Sequence, residues 1–211
     1  GNEVQLMSES YFVGGDTSGT YTSSPIIDVN DDGIGYVAVI TYFLGADINE
    51  SEYANIHTAV FSQTTDYGAT WGASPAQEPN LPFYYIPDNV YEHMMDSGLF
   101  PTSWFDECTG ENTIFDQLFA TYDFDLKVDS EGNPHFILGI LPSSTEFIYP
   151  FMEENGFFHF WIDKDYMAEP GMPQTATGWN YSFVMPTNDF WRWNNEDAES
   201  YWQLVYPSFA I

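Results

Sequence analysis

One cysteine, Cys108, stands in 211 residues. It can close no intrachain disulfide, so thiols say nothing of the redox compartment. No His, Lys or Arg lies near it in sequence, and it lacks the partner that a cysteine nucleophile uses. Basic residues are almost as scarce. Lys127, Lys164 and Arg192 face 32 acidic side chains, for a formal net charge of −29. Nucleic-acid binding rests on cationic side chains that displace phosphate counterions, and three cannot supply it. Anionic membrane surfaces are disfavoured for the same reason. No run approaches the roughly 20 apolar residues of a membrane span. The opening Gly1-Asn2-Glu3 has neither the basic region nor the apolar run of a signal peptide, so an export signal is expected to be removed or to lie outside the chain. Neither G-x-S-x-G nor H-E-x-x-H occurs.

Aromatics, by contrast, abound. Hydrophobic residues make up 44% and aromatic residues 19% of the chain, which separates it from acidic disordered tails and implies a packed core. An acidic surface of this kind suits divalent cations, neutral glycans or basic protein surfaces. It equally serves solubility in a salty exterior, where self-repulsion is screened.

The organising feature is a repeat. Residues 25–39 read as an apolar strand, the acidic turn Asn30-Asp31-Asp32-Gly33, and a second strand rich in β-branched residues. Residues 125–137 repeat this plan around Asp129-Ser130-Glu131-Gly132. Both carry the signature of a hairpin. A third copy begins at Tyr206-Pro207-Ser208-Phe209. The second halves correspond too: residues 55–62 and 156–163 alternate as strands, and each leads through a polar loop to a tryptophan, Trp71 or Trp179. A unit of hairpin, connection, strand, turn and Trp reads as a four-stranded antiparallel blade. The long intervals are 76–119, with one short helix expected near 90–95, and 167–188.

Thr64-Thr65-Asp66-Tyr67-Gly68-Ala69-Thr70-Trp71 fits Ser/Thr-x-Asp-x-Gly-x-Thr-Trp at all five specified positions. In such a turn the Asp accepts backbone N–H bonds and the Gly takes positive φ. The Thr returns its hydroxyl, and the Trp plugs the turn. The motif resembles the Asp-box, or BNR-repeat, β-propellers, the family that includes sialidases, and the acidic hairpins are similar to those of propellers in large secreted bacterial proteins exported with a type IX sorting domain. The second unit departs from the motif: Asp163-Lys164-Asp165-Tyr166 leads into a longer loop, and only Trp179 remains. The resemblance implies an all-β fold, a partial β-propeller with long inserted loops. It is laid out as a blade remnant at 1–20, a blade at 21–75, an inserted loop at 76–119, a blade at 120–188 and the start of another at 189–211. Continuation into further blades, or packing against other subunits, is expected from a ring of four to eight. The resemblance also implies that Thr64, Asp66, Gly68, Thr70 and Trp71 are structural.

Sialidases hold their substrate's carboxylate with three arginines, in contacts that lysine does not replace. Arg192 is alone here, so sialidase activity is not expected and no catalytic residue is assigned. Neutral-sugar hydrolysis needs only two carboxylates, and pairs such as Asp106-Glu107 and Glu153-Glu154 read as solvated loop charges. His57, His93, His135 and His159 are scattered singly; His57 and His159 hold equivalent strand positions, which favours packing over ligation. Asp28, Asn30 and Asp32 offer oxygens in the D-x-N-x-D-G spacing of a calcium loop, although position twelve is Val39, and the same residues make an ordinary Asp/Asn/Gly turn. Trp191 and Trp193 flank Arg192 and would share one strand face, fit for stacking on a sugar or for packing against the next blade. Tyr84, Tyr85 and Tyr91 could serve similarly if exposed. The expected function is noncatalytic recognition or adhesion, toward protein or neutral glycan, on an extracellular or cell-surface protein. The alternatives are part of a secreted glycoside hydrolase whose catalytic groups lie elsewhere, and a structural subunit of a surface assembly.

Overall fold

A computed structural model describes residues 14–15, 19–20, 22–42, 57–73, 83–144, 154–167, 178–186 and 207–211. Strands β1 (Gly14–Gly15) and β2 (Gly19–Thr20) form a short pair. The first large sheet is an antiparallel meander of β3 (Ile26–Val29), β4 (Gly35–Thr41), β5 (Thr58–Thr64) and β6 (Tyr84–Tyr85). Helix α1 (Asp88–Asp96) and the hairpin of β7 (Ser103–Asp106) and β8 (Glu111–Ile114) follow. The second large sheet is again a meander: β9 (Gln117–Val128), β10 (Pro134–Ser143), β11 (Gly156–Trp161) and β12 (Asn180–Pro186), with the short helix α2 (Lys164–Met167) between the last two. The described chain is thus mostly β. None of its described helices is long and apolar enough to cross a membrane.

Side-chain alternation explains how the sheets meet. Successive strand residues point to opposite faces. In the first sheet Tyr36, Ala38 and Phe61 point one way; in the second Leu126, Phe136, Leu138 and Phe160 point back, and all are fully buried in one core. Phe61 sits at its centre, its ring 5.6 Å from Tyr84, 5.0 Å from Phe136 and 6.1 Å from Trp179. Burying aromatic rings of this size dominates the energetics of such an interface. Helix α1 closes the core from one side with Val90, Tyr91 and Met94. Thr58 of β5 ties the helix down by bonding the Ile86 carbonyl at 2.8 Å and the Tyr91 hydroxyl at 3.0 Å.

The interval 76–119 therefore contains a strand of the first sheet, a helix and a hairpin, and β9 begins at Gln117 within it. The helix falls where the sequence places it.

Candidate functional site

The two acidic hairpin turns are built alike, bond for bond. Asn30 Oδ1 accepts the N–H groups of Asp32 (3.1 Å) and Ile34 (3.0 Å). Asp129 Oδ1 accepts those of Glu131 (2.9 Å) and Asn133 (2.8 Å). Gly33 and Gly132 both take positive φ, at 81° and 90°, and each donates its N–H to the carbonyl three residues back. An Asx side chain and a positive-φ glycine at a set offset make this turn locally determined.

The turns also lock onto each other across the sheets. Asn30 Nδ2 donates to the Asp129 carbonyl at 3.0 Å, and the Tyr36 hydroxyl donates to the Gly132 carbonyl at 2.9 Å while accepting from the Gln63 amide. Asp28 Oδ2 accepts the Val128 N–H at 2.8 Å. Burial keeps the Tyr36 hydroxyl protonated far above its ordinary range, so it is a permanent donor.

Residues 64–71 form a third turn that rests on the first hairpin. Asp66 accepts the Thr70 N–H and the Thr70 hydroxyl, both at 2.8 Å, and the Thr64 hydroxyl at 2.9 Å. The Thr70 N–H and hydroxyl hold the Asp66 carboxyl below its usual range, although it is exposed. Gly68 has φ 85°, and Trp71 lays its ring along it and donates its indole N–H to the Gly68 carbonyl at 3.0 Å. Tyr67, itself at φ 58°, donates its N–H to Gly33 O and its hydroxyl to Asp31 O. A Cβ on Gly33 would come within 2.6 Å of the Tyr67 ring, so that glycine is required for space as well as for φ.

The tryptophans that end the two units differ. Trp71 is half-buried within its own turn. Trp179 is 6% exposed, wedged against Phe61 and Phe136, and its indole N–H has no partner among the described residues.

The structure gives Asp28 and Asn30 hydrogen-bonding roles in the turn and across to the second sheet. Among the described residues no group of three or more His, Cys, Asp or Glu side chains is arranged to hold a metal ion. Tyr84, Tyr85 and Tyr91, which the sequence offers as a stacking surface, are buried, Tyr84 and Tyr91 within the core shared by the sheets. Trp191, Arg192 and Trp193 lie outside the described residues. Glu154 and Glu107 are exposed, and Asp106 caps the β7–β8 turn by accepting the Cys108 N–H at 2.8 Å.

The histidines correct the sequence reading most. His57 and His159 do not share an environment. His57 is 1% exposed, stacked on Phe119 at 4.6 Å and edged by Tyr122. Its Nδ1–H donates to the Ala120 carbonyl, which leaves Nε2 buried with no partner among the described residues. Burial lowers its pKa to about 4, against a smaller upward pull from the Ala120 bond. His159 lies instead on the outer face of the second sheet, 2.9 Å from His135, and His135 is 3.3 Å from Asp129. Residues 135 and 159 meet only through the β10–β11 register, which pairs Ile137 with His159, so spacing along the chain does not reveal the pair.

Segment 207–211 lies on this same outer face. The Phe209 N–H donates to Asp125 Oδ2 at 3.1 Å, as Val128 does to Asp28. Comparison with protein-family models, with curated proteins and with solved structures finds no match to this chain.

Proposed function

We propose that the chain is a noncatalytic recognition or adhesion module of an extracellular or cell-surface protein, built from consecutive blades of an Asp-box β-propeller and binding a protein or a neutral glycan. The observation that carries the reading is the structural repeat. Two four-stranded meanders share one turn chemistry and pack face to face, and a carboxylate on the first strand of each grips an N–H of the segment that follows. Radially stacked blades repeat in this way. The hydrogen bonds of residues 64–71 support it, since they are those an Asp-box turn requires.

Charge narrows the partner. A surface at −29 disfavours anionic ligands and favours basic or neutral ones. The lone Arg192 argues against chemistry on an acidic sugar. The test is a glycan and basic-protein binding array run beside a glycoside-hydrolase screen on the same preparation. Saturable binding without turnover is expected. Hydrolysis of any glycoside, abolished by substituting one carboxylate, would replace this reading with an enzymatic one.

A further inference from the structure

The strongest unassigned feature is the polar cluster on the outer face of the second sheet. His135 on β10 and His159 on β11 point away from the core, because Phe136, Phe158 and Phe160 point into it. The planes of the two imidazoles differ by only 14°, and Nδ1 of His135 is 2.9 Å from Nε2 of His159. A contact this short needs a proton between the nitrogens, so at least one of the facing positions must be bare. On the far side of His135, Nε2 is 3.3 Å from Asp129 Oδ2, which also accepts the Asn133 amide at 2.8 Å. His159 in turn lies flat against Trp161, 4.6 Å away at 21°, and its ring meets Phe209 at 5.9 Å.

We propose that Asp129, His135 and His159 form an acid-operated latch, which keeps segment 207–211 seated on the second sheet while the histidine pair carries at most one positive charge and releases it when both rings are charged.

Charge balance around the pair supports this. From the turn, Asp129 Oδ2 lies 3.3 Å from His135 Nε2 and is the one carboxylate in contact with the pair, while Glu131 is exposed at the turn's tip. From β9, Asp125 is taken by Lys127 at 3.6 Å and by the Phe209 N–H. From α2, the Lys164 side chain lies over Gly132 and adds a positive charge, paired with the exposed Asp165 at 3.2 Å. Asp163, which precedes α2, accepts the Asp165 N–H. From β12, Ser182 stands in register with His159 and is uncharged, and segment 207–211 contributes the Phe209 ring. A second proton therefore has no carboxylate in contact with it. It also replaces the hydrogen bond between the rings with two N–H groups facing each other. Burial, then the neighbouring His135, lowers the pKa of His159 in agreement with this balance. The sign follows: seating depresses the proton affinity of His159, so seating is complete above its ordinary range and is lost as pH falls through the depressed value.

Amide hydrogen exchange by NMR on the intact chain tests the latch, with the Phe209 amide as reporter and the Phe61 amide as a measure of global opening. The protection factor at Phe209, corrected for intrinsic exchange, should fall about tenfold or more between about pH 7.5 and about pH 4.5 while Phe61 holds. In His159→Gln the Phe209 protection should stay level over that range, and in His135→Gln its fall should shrink. The second variant leaves the Phe209 contact untouched, so it separates loss of the switch from loss of packing. Level protection in the wild type, when ring-carbon shifts show both histidines charged, overturns the proposal. So does a parallel fall at Phe61, or an undiminished pH dependence in either variant.

Discussion

His57 offers the sharpest quantitative prediction. Its imidazole is buried in its neutral form, donating through Nδ1 to the Ala120 carbonyl. Charging the ring requires taking an imidazolium out of water, and burial lowers the pKa from 6.5 to about 4. At about 1.4 kcal/mol for each tenfold in proton affinity, the folded state loses about 3 kcal/mol relative to the unfolded chain once pH reaches about 4. The sign is that of a depressed histidine: the full stability is present above pH 6.5 and declines as pH falls through the folded value. Urea denaturation of wild type and His57→Phe, at fixed ionic strength from about pH 7.5 to about pH 4, isolates the effect. Phe keeps the stack on Phe119 but leaves the Ala120 carbonyl bare, a pH-independent cost of about 1–3 kcal/mol. Both proteins carry the same acidic side chains, so carboxylate titration cancels in the difference. The wild-type advantage should shrink by about 3 kcal/mol across this range and can change sign. A difference that stays flat to within about 0.5 kcal/mol would refute a buried neutral imidazole at this position.

Other consequences are more local. Tyr36→Phe removes the hydroxyl that joins Gly132 O to the Gln63 amide, and should cost about 1–3 kcal/mol in urea denaturation, with strong non-additivity against Gln63→Leu in a double-mutant cycle. Phe61→Ala empties the centre of the core shared by the sheets and should cost about 3–5 kcal/mol by the same measurement. Asp66→Ala should lower the melting temperature at neutral pH; because the Asp66 pKa is depressed, the deficit should close as pH falls through that value, and a deficit independent of pH would contradict the turn's hydrogen bonding. Since Asp28 Oδ2 and Asn30 Oδ1 are engaged by backbone N–H groups, millimolar calcium or EDTA should leave the melting temperature unchanged; a rise with calcium that Asp32→Asn abolishes would show a cation site there.

Some of this is legible in the sequence because it is local. The turns at Gly33 and Gly132 each need only an Asx acceptor and a glycine three residues later, and the chain states both within one short window. The 64–71 turn is legible for the same reason, down to the return of the Thr70 hydroxyl to Asp66. What depends on register or burial is not. Tyr84 and Tyr85 stand in an interval that reads as a loop, yet they pair with Phe61 and Val60 as the fourth strand of a sheet. A two-residue strand has no period to detect. His57 and His159 look equivalent by their order in the repeat but pack in different surroundings, His57 against Phe119 and Tyr122 and His159 against His135 and Trp161. The His135–His159 pair exists only because β10 and β11 align in one register, and a slip of one residue would leave the two rings on opposite faces.

That the two meanders are successive units of one radial stack is tested most directly by an experimental structure of the protein. It should show another four-stranded antiparallel sheet against the face that carries His159 and Trp161, with 207–211 as its first strand and its backbone gripped by Asp125. Helices covering that face, or the two sheets merged into a closed sandwich with no further unit, would contradict it.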